Sequence, residues 1–327
     1  MALKDELQQR WTAERAAAAK DALENWKKSS RLEKVAFGTV DGRLDLRGLT
    51  FRTSISGVRS EHVAAGDTSR DINFVTLSNP PEFHSSVWDS IDFSYAEIDH
   101  LRLFLCEVKN CLFTGAVVRD WRSWGTRYSD CDFSQANLQN SNIGGAQYKG
   151  KRVEYVNCRW QKGNLKQVHL SGGTYRGCHF EGVRLVDEQV RDGRFSNCTF
   201  SGRLESIRFD GRDTESKSAP WPVRADAMAN CDFSDCTLVD CTFMGIDMRT
   251  VTLPAGGVLM PDLAGVAERA LTWAATAGLN AGEMQFLKMY WQGHYTKLPS
   301  DAVGWLDPNT MDGRARELLD ASLAAAT

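Results

Sequence analysis

Along the middle of this chain an apolar side chain recurs at every fifth position, a spacing that fits neither an α-helix nor a β-strand. The series runs Phe93, Ile98, Leu103, Val108, Phe113, Val118, then Tyr128, Phe133, Leu138, Ile143 and Tyr148. After an apparent two-residue insertion near Lys149 and Gly150 it resumes as Tyr155, Trp160, Leu165, Leu170, Tyr175, Phe180, Leu185, Val190, Phe195 and Phe200. It slips to Leu204 and Phe209, breaks, and returns as Phe233, Leu238, Phe243, Met248 and Leu253. Two places before these central residues stand small ones, as in Ala136-Asn137-Leu138 and Cys178-His179-Phe180. All nine cysteines (106, 111, 131, 158, 178, 198, 231, 236 and 241) fall in that slot, where chance would put about one in five. The slot therefore selects a small, buried, weakly polar group, which a free thiol is. Metal-type C-x2-C pairs are absent, and no metal site is expected.

A second period of twenty follows from residue type. Phe93, Phe113 and Phe133 group with Tyr155, Tyr175 and Phe195; Ile98, Val118 and Leu138 group with Trp160, Phe180 and Phe200. Leu103, Ser123 and Ile143 continue as Leu165, Leu185 and Leu204, and Val108, Tyr128 and Tyr148 as Leu170, Val190 and Phe209. Four five-residue segments thus make one turn of a stacked array, six turns before the break and one after it.

The segments DCDFSQANLQN (130–140) and NCDFSDCTLVDCTFMG (230–245) carry this pattern most clearly. They resemble the pentapeptide-repeat family, with its consensus Ala-(Asp/Asn)-Leu-Xaa-Xaa, over about half the chain. The resemblance implies an all-β solenoid, a right-handed quadrilateral β-helix, here with N-terminal and C-terminal α-helical caps. Some members of that family look like duplex DNA, bind DNA gyrase, a type II topoisomerase, and protect it from quinolones. They dimerise through a C-terminal helix and use loops that project from the coils.

The flanks read differently. Residues 1–40 carry an amphipathic helix over the first 28, with Leu3, Leu7, Trp11, Ala18, Ala22 and Trp26 on one side. Residues 41–85 give an irregular lead-in with a degenerate first coil near Leu44, Leu46 and Leu49, and turns at Gly57, Gly66 and Pro80-Pro81. The solenoid spans 86–254, with a polar, proline-bearing loop at 210–230. From 255 to 327 helices are predicted over 261–277, 281–295 and 311–325, the second capped by Asn280 and Glu283. Both helical ends read as caps over exposed terminal coils, or as dimer contacts.

Two irregularities are candidate partner-binding sites. At Trp121-Arg122-Ser123-Trp124 the small slot holds tryptophan and the central slot serine, and Trp and Arg dominate binding hot spots. A bulge with tryptophan packed under the N-terminal helix is the competing reading. The loop 210–230 holds Trp221 between two prolines and leads into an aspartate-rich coil with Asp226, Asp232, Asp235 and Asp240.

Charge narrows the reading further. The chain has 39 basic and 42 acidic residues, and residues 86–253 hold 22 acidic against 21 basic, so continuous mimicry of DNA charge is not expected. Residues 149–208 carry twelve basic and six acidic groups, with Lys166, Arg184 and Arg203 spaced to form a stripe. This gives nucleic-acid or anionic-ligand binding as the alternative, less favoured than a protein partner. His169 and His179 both point outward on opposite sides of a turn, and no phosphate loop or nucleophile elbow occurs. No catalytic residue and no cofactor are therefore expected. The charged start and the lack of a bilayer-length apolar run predict a cytoplasmic protein with no membrane contact.

Overall fold

The computed structural model describes residues 2–25, 36–51, 53–65, 68–78, 80–145, 147–212, 227–292, 295, 298, 302–306 and 313–326. They belong to two compact units, Met1–Val168 and His169–Thr327. Both carry short strands that pair in parallel with the strand one turn on, mostly of three residues in the first unit and of up to eight in the second, the signature of a β-helix solenoid.

In the first unit each turn has four faces. On the first, Phe93, Phe113, Phe133 and Trp160 stack, with ring centroids 5.0–5.1 Å apart. The second stacks Ile98, Val118, Leu138 and Leu165, the third Phe83, Leu103, Ser123 and Ile143, and the fourth Trp88, Val108, Tyr128 and Tyr155. Aromatic rings thus fill the first column and aliphatic side chains the second. This corrects the grouping by residue type, which set Tyr155 on Phe133. Tyr155 stacks instead on Tyr128, at 4.6 Å. Backbone partners across this point are 27 residues apart, so the insertion has seven residues, not two. Tyr and Phe fill one slot equally well, so type alone could not tell the frames apart; the hydrogen-bond ladder does.

In most segments the residue two places after the central one turns the corner with positive φ, as in Asn110 (51°), Asp130 (54°) and Asn140 (62°). Asn, Asp and Gly tolerate that conformation best, which accounts for their recurrence there. The Trp121/Ser123 irregularity is a volume exchange within the core. Trp121 is buried against Phe113, Tyr128 and Phe133, and Ser123, too short to clash, hydrogen-bonds the Tyr128 hydroxyl.

Parallel pairing onto the coil extends upstream of residue 86, into the stretch expected to hold a degenerate first coil. Arg43–Asp45 pairs with Ile91–Asp92, and Thr50 bridges Glu97. Strands Ser54–Ala65 and Thr68–Ser78 then form a long antiparallel hairpin where an irregular lead-in was expected. The N-terminal stretch is two helices, α1 (Ala2–Gln9) and α2 (Ala13–Glu24), not one. Thr12 caps α2, and at the break the Trp11 indole donates to the Arg47 carbonyl while Arg10 forks onto Asp45. Trp88 donates to the last turn of α2 at Leu23.

In the second unit the columns are Phe180, Phe200 and Phe233; Leu185, Leu204 and Leu238; Val190, Phe209 and Phe243; and Tyr175, Phe195 and Met228. Val303–Leu306 pairs antiparallel with Cys241–Met244 and with Val258–Met260, which ends the parallel ladder on that face. Helices α3 (Leu263–Ala274), α4 (Ala281–Leu287) and α5 (Gly313–Ala326) pack around Trp291. Asn280 and Glu283 form the expected reciprocal cap, but α4 ends early in a π-turn, Lys288–Gln292.

Candidate functional site

The third face of the first unit places two rows side by side on its outer surface. Glu82, Arg102 and Arg122 are register partners in one; His84, Phe104 and Trp124 are partners in the other. The rings of the second row stack nearly parallel, His84 on Phe104 at 4.6 Å and Phe104 on Trp124 at 4.4 Å. These half-exposed rings lie outside the core columns. Tyr148, delivered by the seven-residue insertion, meets Phe104 edge-on at 5.6 Å.

The charged row is anchored by Asp120, which accepts from His100, Arg102 and Arg122. Burial alone would raise its carboxyl, but these hydrogen bonds and the charges of Arg102 and Arg122 hold it below the ordinary value. Arg122 keeps about half of its side chain exposed. Sequence reasoning missed Phe104, His84 and Tyr148, because residues twenty apart reveal a ladder only when the outward positions are read in register as the inward ones were.

The other expected site residues are scattered. Trp121 is buried and presents nothing to a partner, a correction of its reading as an anchor. Trp221 and Asp226 lie outside the described residues. Asp232 binds its own backbone at Ser234, while Asp235 is exposed. Asp240 accepts from the Tyr295 hydroxyl at 3.0 Å, which ties its carboxylate to the helical segment. Burial, with Asp240 nearby, pushes the Tyr295 hydroxyl well above its usual range. Within the second unit Arg184 and Arg203 are register partners, but Arg203 is bonded to Glu205. His169 meets Glu188 at 3.0 Å and His179 meets Thr199 at 2.8 Å, two separate pairs.

An open cleft of about 840 Å³ lies between α1, α2 and the first turn, lined among others by Asp5, Gln8, Trp11, Phe51 and Glu97. Glu97 is already paired with Lys4 at 3.0 Å. Among the described residues no group of three His, Cys, Asp or Glu could hold a metal ion, and no helix is long and apolar enough to cross a membrane.

No family model and no curated protein sequence matches the chain. Solved structures do. HetL, a pentapeptide-repeat protein involved in heterocyst differentiation regulation from the cyanobacterium Nostoc sp. strain PCC 7120, aligns at 16% identity over 53% of this chain and 85% of its own, with a TM-score of 0.30. Full-length QnrB1, a plasmid-mediated fluoroquinolone resistance protein, aligns at 18% identity over 61% of this chain and 90% of its own, with a TM-score of 0.22. These superpositions are too loose to carry an argument about function. The fold rests instead on the chain's own register: five-residue segments, four parallel ladders per turn in the first unit and corners with positive φ.

Proposed function

We propose that this chain is a non-catalytic scaffold that binds a protein partner through the outer third face of its first unit. One observation carries the reading: three stacked rings, His84, Phe104 and Trp124, lie on the outside of a coil whose core is already filled. Aromatic area that no core column needs is the kind of surface that anchors an interface, and Arg122 beside it is the other residue type enriched there. In this reading the solenoid is a right-handed quadrilateral coil that fixes the spacing of the rings, and the helices at both ends act as caps that also offer dimer contacts.

The family resemblance makes a type II topoisomerase the partner to test first. Full DNA mimicry is not favoured, since the repeat is balanced in charge. The test is gyrase supercoiling in the presence of a quinolone. Rescue by near-stoichiometric protein, lost in Trp124→Ala, supports gyrase protection through this face. No rescue and no gyrase binding leaves the scaffold with another partner. Retention of every protein contact by a folded Phe104→Ala/Trp124→Ala variant removes the face itself from the proposal.

A further inference from the structure

We propose that the ladder docks an acidic segment of its protein partner, with carboxylates against Arg122, Lys149 and Lys151 and apolar side chains against Trp124 and Phe104. The inference rests on the scaffold reading and adds the chemistry of the partner.

It starts from the seven-residue insertion after Ile143. Tyr148 and Lys151 exchange backbone hydrogen bonds of 2.9 and 3.0 Å, and Lys149 and Gly150 between them both have positive φ (49° and 75°). This is a two-residue hairpin turn of the tightest kind. The coil has no need of it, because the ladders before and after continue in register. Its effect is to place three side chains beside the rings. Tyr148 packs edge-on against Phe104, the Lys149 ammonium lies 5.6 Å from the Tyr148 centroid, and a Cβ on Gly125, next to Trp124, would stand 3.2 Å from the Lys151 Cβ.

Charge then selects the partner. Lys149 and Lys151 are exposed and in no close ion pair among the described residues, Lys151 acting on Glu107 only at longer range. The nearby carboxylates are already taken: Asp120 by His100, Arg102 and Arg122, Glu107 by Lys109, and Glu154 by Arg127. The rings point the same way. Phe104 has its faces covered by His84 and Trp124, so this central ring turns its edge outward, and ring edges carry the positive part of the aromatic quadrupole. A cationic partner needs ring faces, and so does a stacked nucleobase. An anionic, partly apolar peptide fits both the edges and the ammonium groups.

The full chain can be titrated by fluorescence anisotropy with three labelled probes: a peptide alternating Glu with Leu and Phe, its Lys counterpart, and an oligo-dT strand. The acidic peptide is expected to bind, more weakly as salt rises, and Lys149→Glu/Lys151→Glu to lower its affinity by about tenfold or more. Both lysines lie on an exposed turn, so this variant keeps the fold, which unchanged circular dichroism verifies. Equal or tighter binding of the Lys peptide or of oligo-dT overturns the proposal, as does an acidic-peptide affinity that the charge reversal leaves unaltered. If the charge reversal keeps the protein contacts that Phe104→Ala/Trp124→Ala abolishes, the scaffold reading stands and the acidic partner falls.

Discussion

Trp121 and Ser123 form a matched pair of misfits: each breaks the repeat alone, and together they conserve core volume. Trp121→Ala should open a cavity and cost about 3–5 kcal/mol, whereas Ser123→Leu should overpack the slot and cost about 1–3 kcal/mol. The double variant restores a small residue followed by a large one, so denaturant unfolding should show a loss well below the sum. Strict additivity would mean that the two side chains do not share one space. Cys178 poses the opposite problem, a small slot with no partner change. Its replacement by leucine should cost about 1–3 kcal/mol, with alanine much milder. Asp45 makes a pH prediction. Burial would raise its carboxyl, but Arg10 and Arg47 bind it and hold it far below the ordinary carboxylate range. A depressed folded value gives stability that is complete above the unfolded value of about 3.9 and is lost as pH falls toward the folded one. Asp45→Asn should therefore lose about 1.5–3 kcal/mol at neutral pH and flatten the acid limb of the stability profile. An unchanged acid limb in urea titrations between pH 2 and pH 5 would remove this clamp from the account.

At the scale of elements, strands differ in what holds them. Many three-residue strands of the coil have neighbours in the turns on both sides, as Arg102–Phe104 has between Glu82–His84 and Arg122–Trp124, whereas Ser54–Ala65 and Thr68–Ser78 pair only with each other. A lone two-stranded hairpin is marginal in water. Amide hydrogen exchange should therefore be fast across 54–78 and slow across the strands Arg102–Phe104 and Arg122–Trp124. Equal protection would show that the hairpin is covered by something that pairs with it. The insertion turn is also an element that the ladder does not require. Its exposed residues can be changed with the coil intact, which makes it a clean handle on the ladder.

The whole molecule is characterised by nine free cysteines, all buried. Burial pushes the thiols of Cys236 and Cys241 up to about 12, so thiolate is scarce there at neutral pH as well as hidden. A thiol reagent should find few reactive groups in the native protein, and most should appear only across the denaturant transition. Several fast-reacting thiols without denaturant would contradict the register throughout the array.

The sequence by itself determined the period of five, the turn of twenty, the buried cysteine slot and the helix cap at Asn280, because each is a local rule that one side chain or one spacing expresses. It also marked Arg122 and Trp124 as outward residues of an irregular turn. Only the tertiary structure decided the frame across the insertion, since Phe133 and Tyr128 offer equally suitable aromatic neighbours to the segment that follows. It likewise decided that Trp121 turns inward, that Asp240 is held by Tyr295, and that His84, Phe104 and Trp124 stack in one row. These are contacts between positions twenty or more residues apart, fixed by how one turn settles on the next, and no local pattern encodes them.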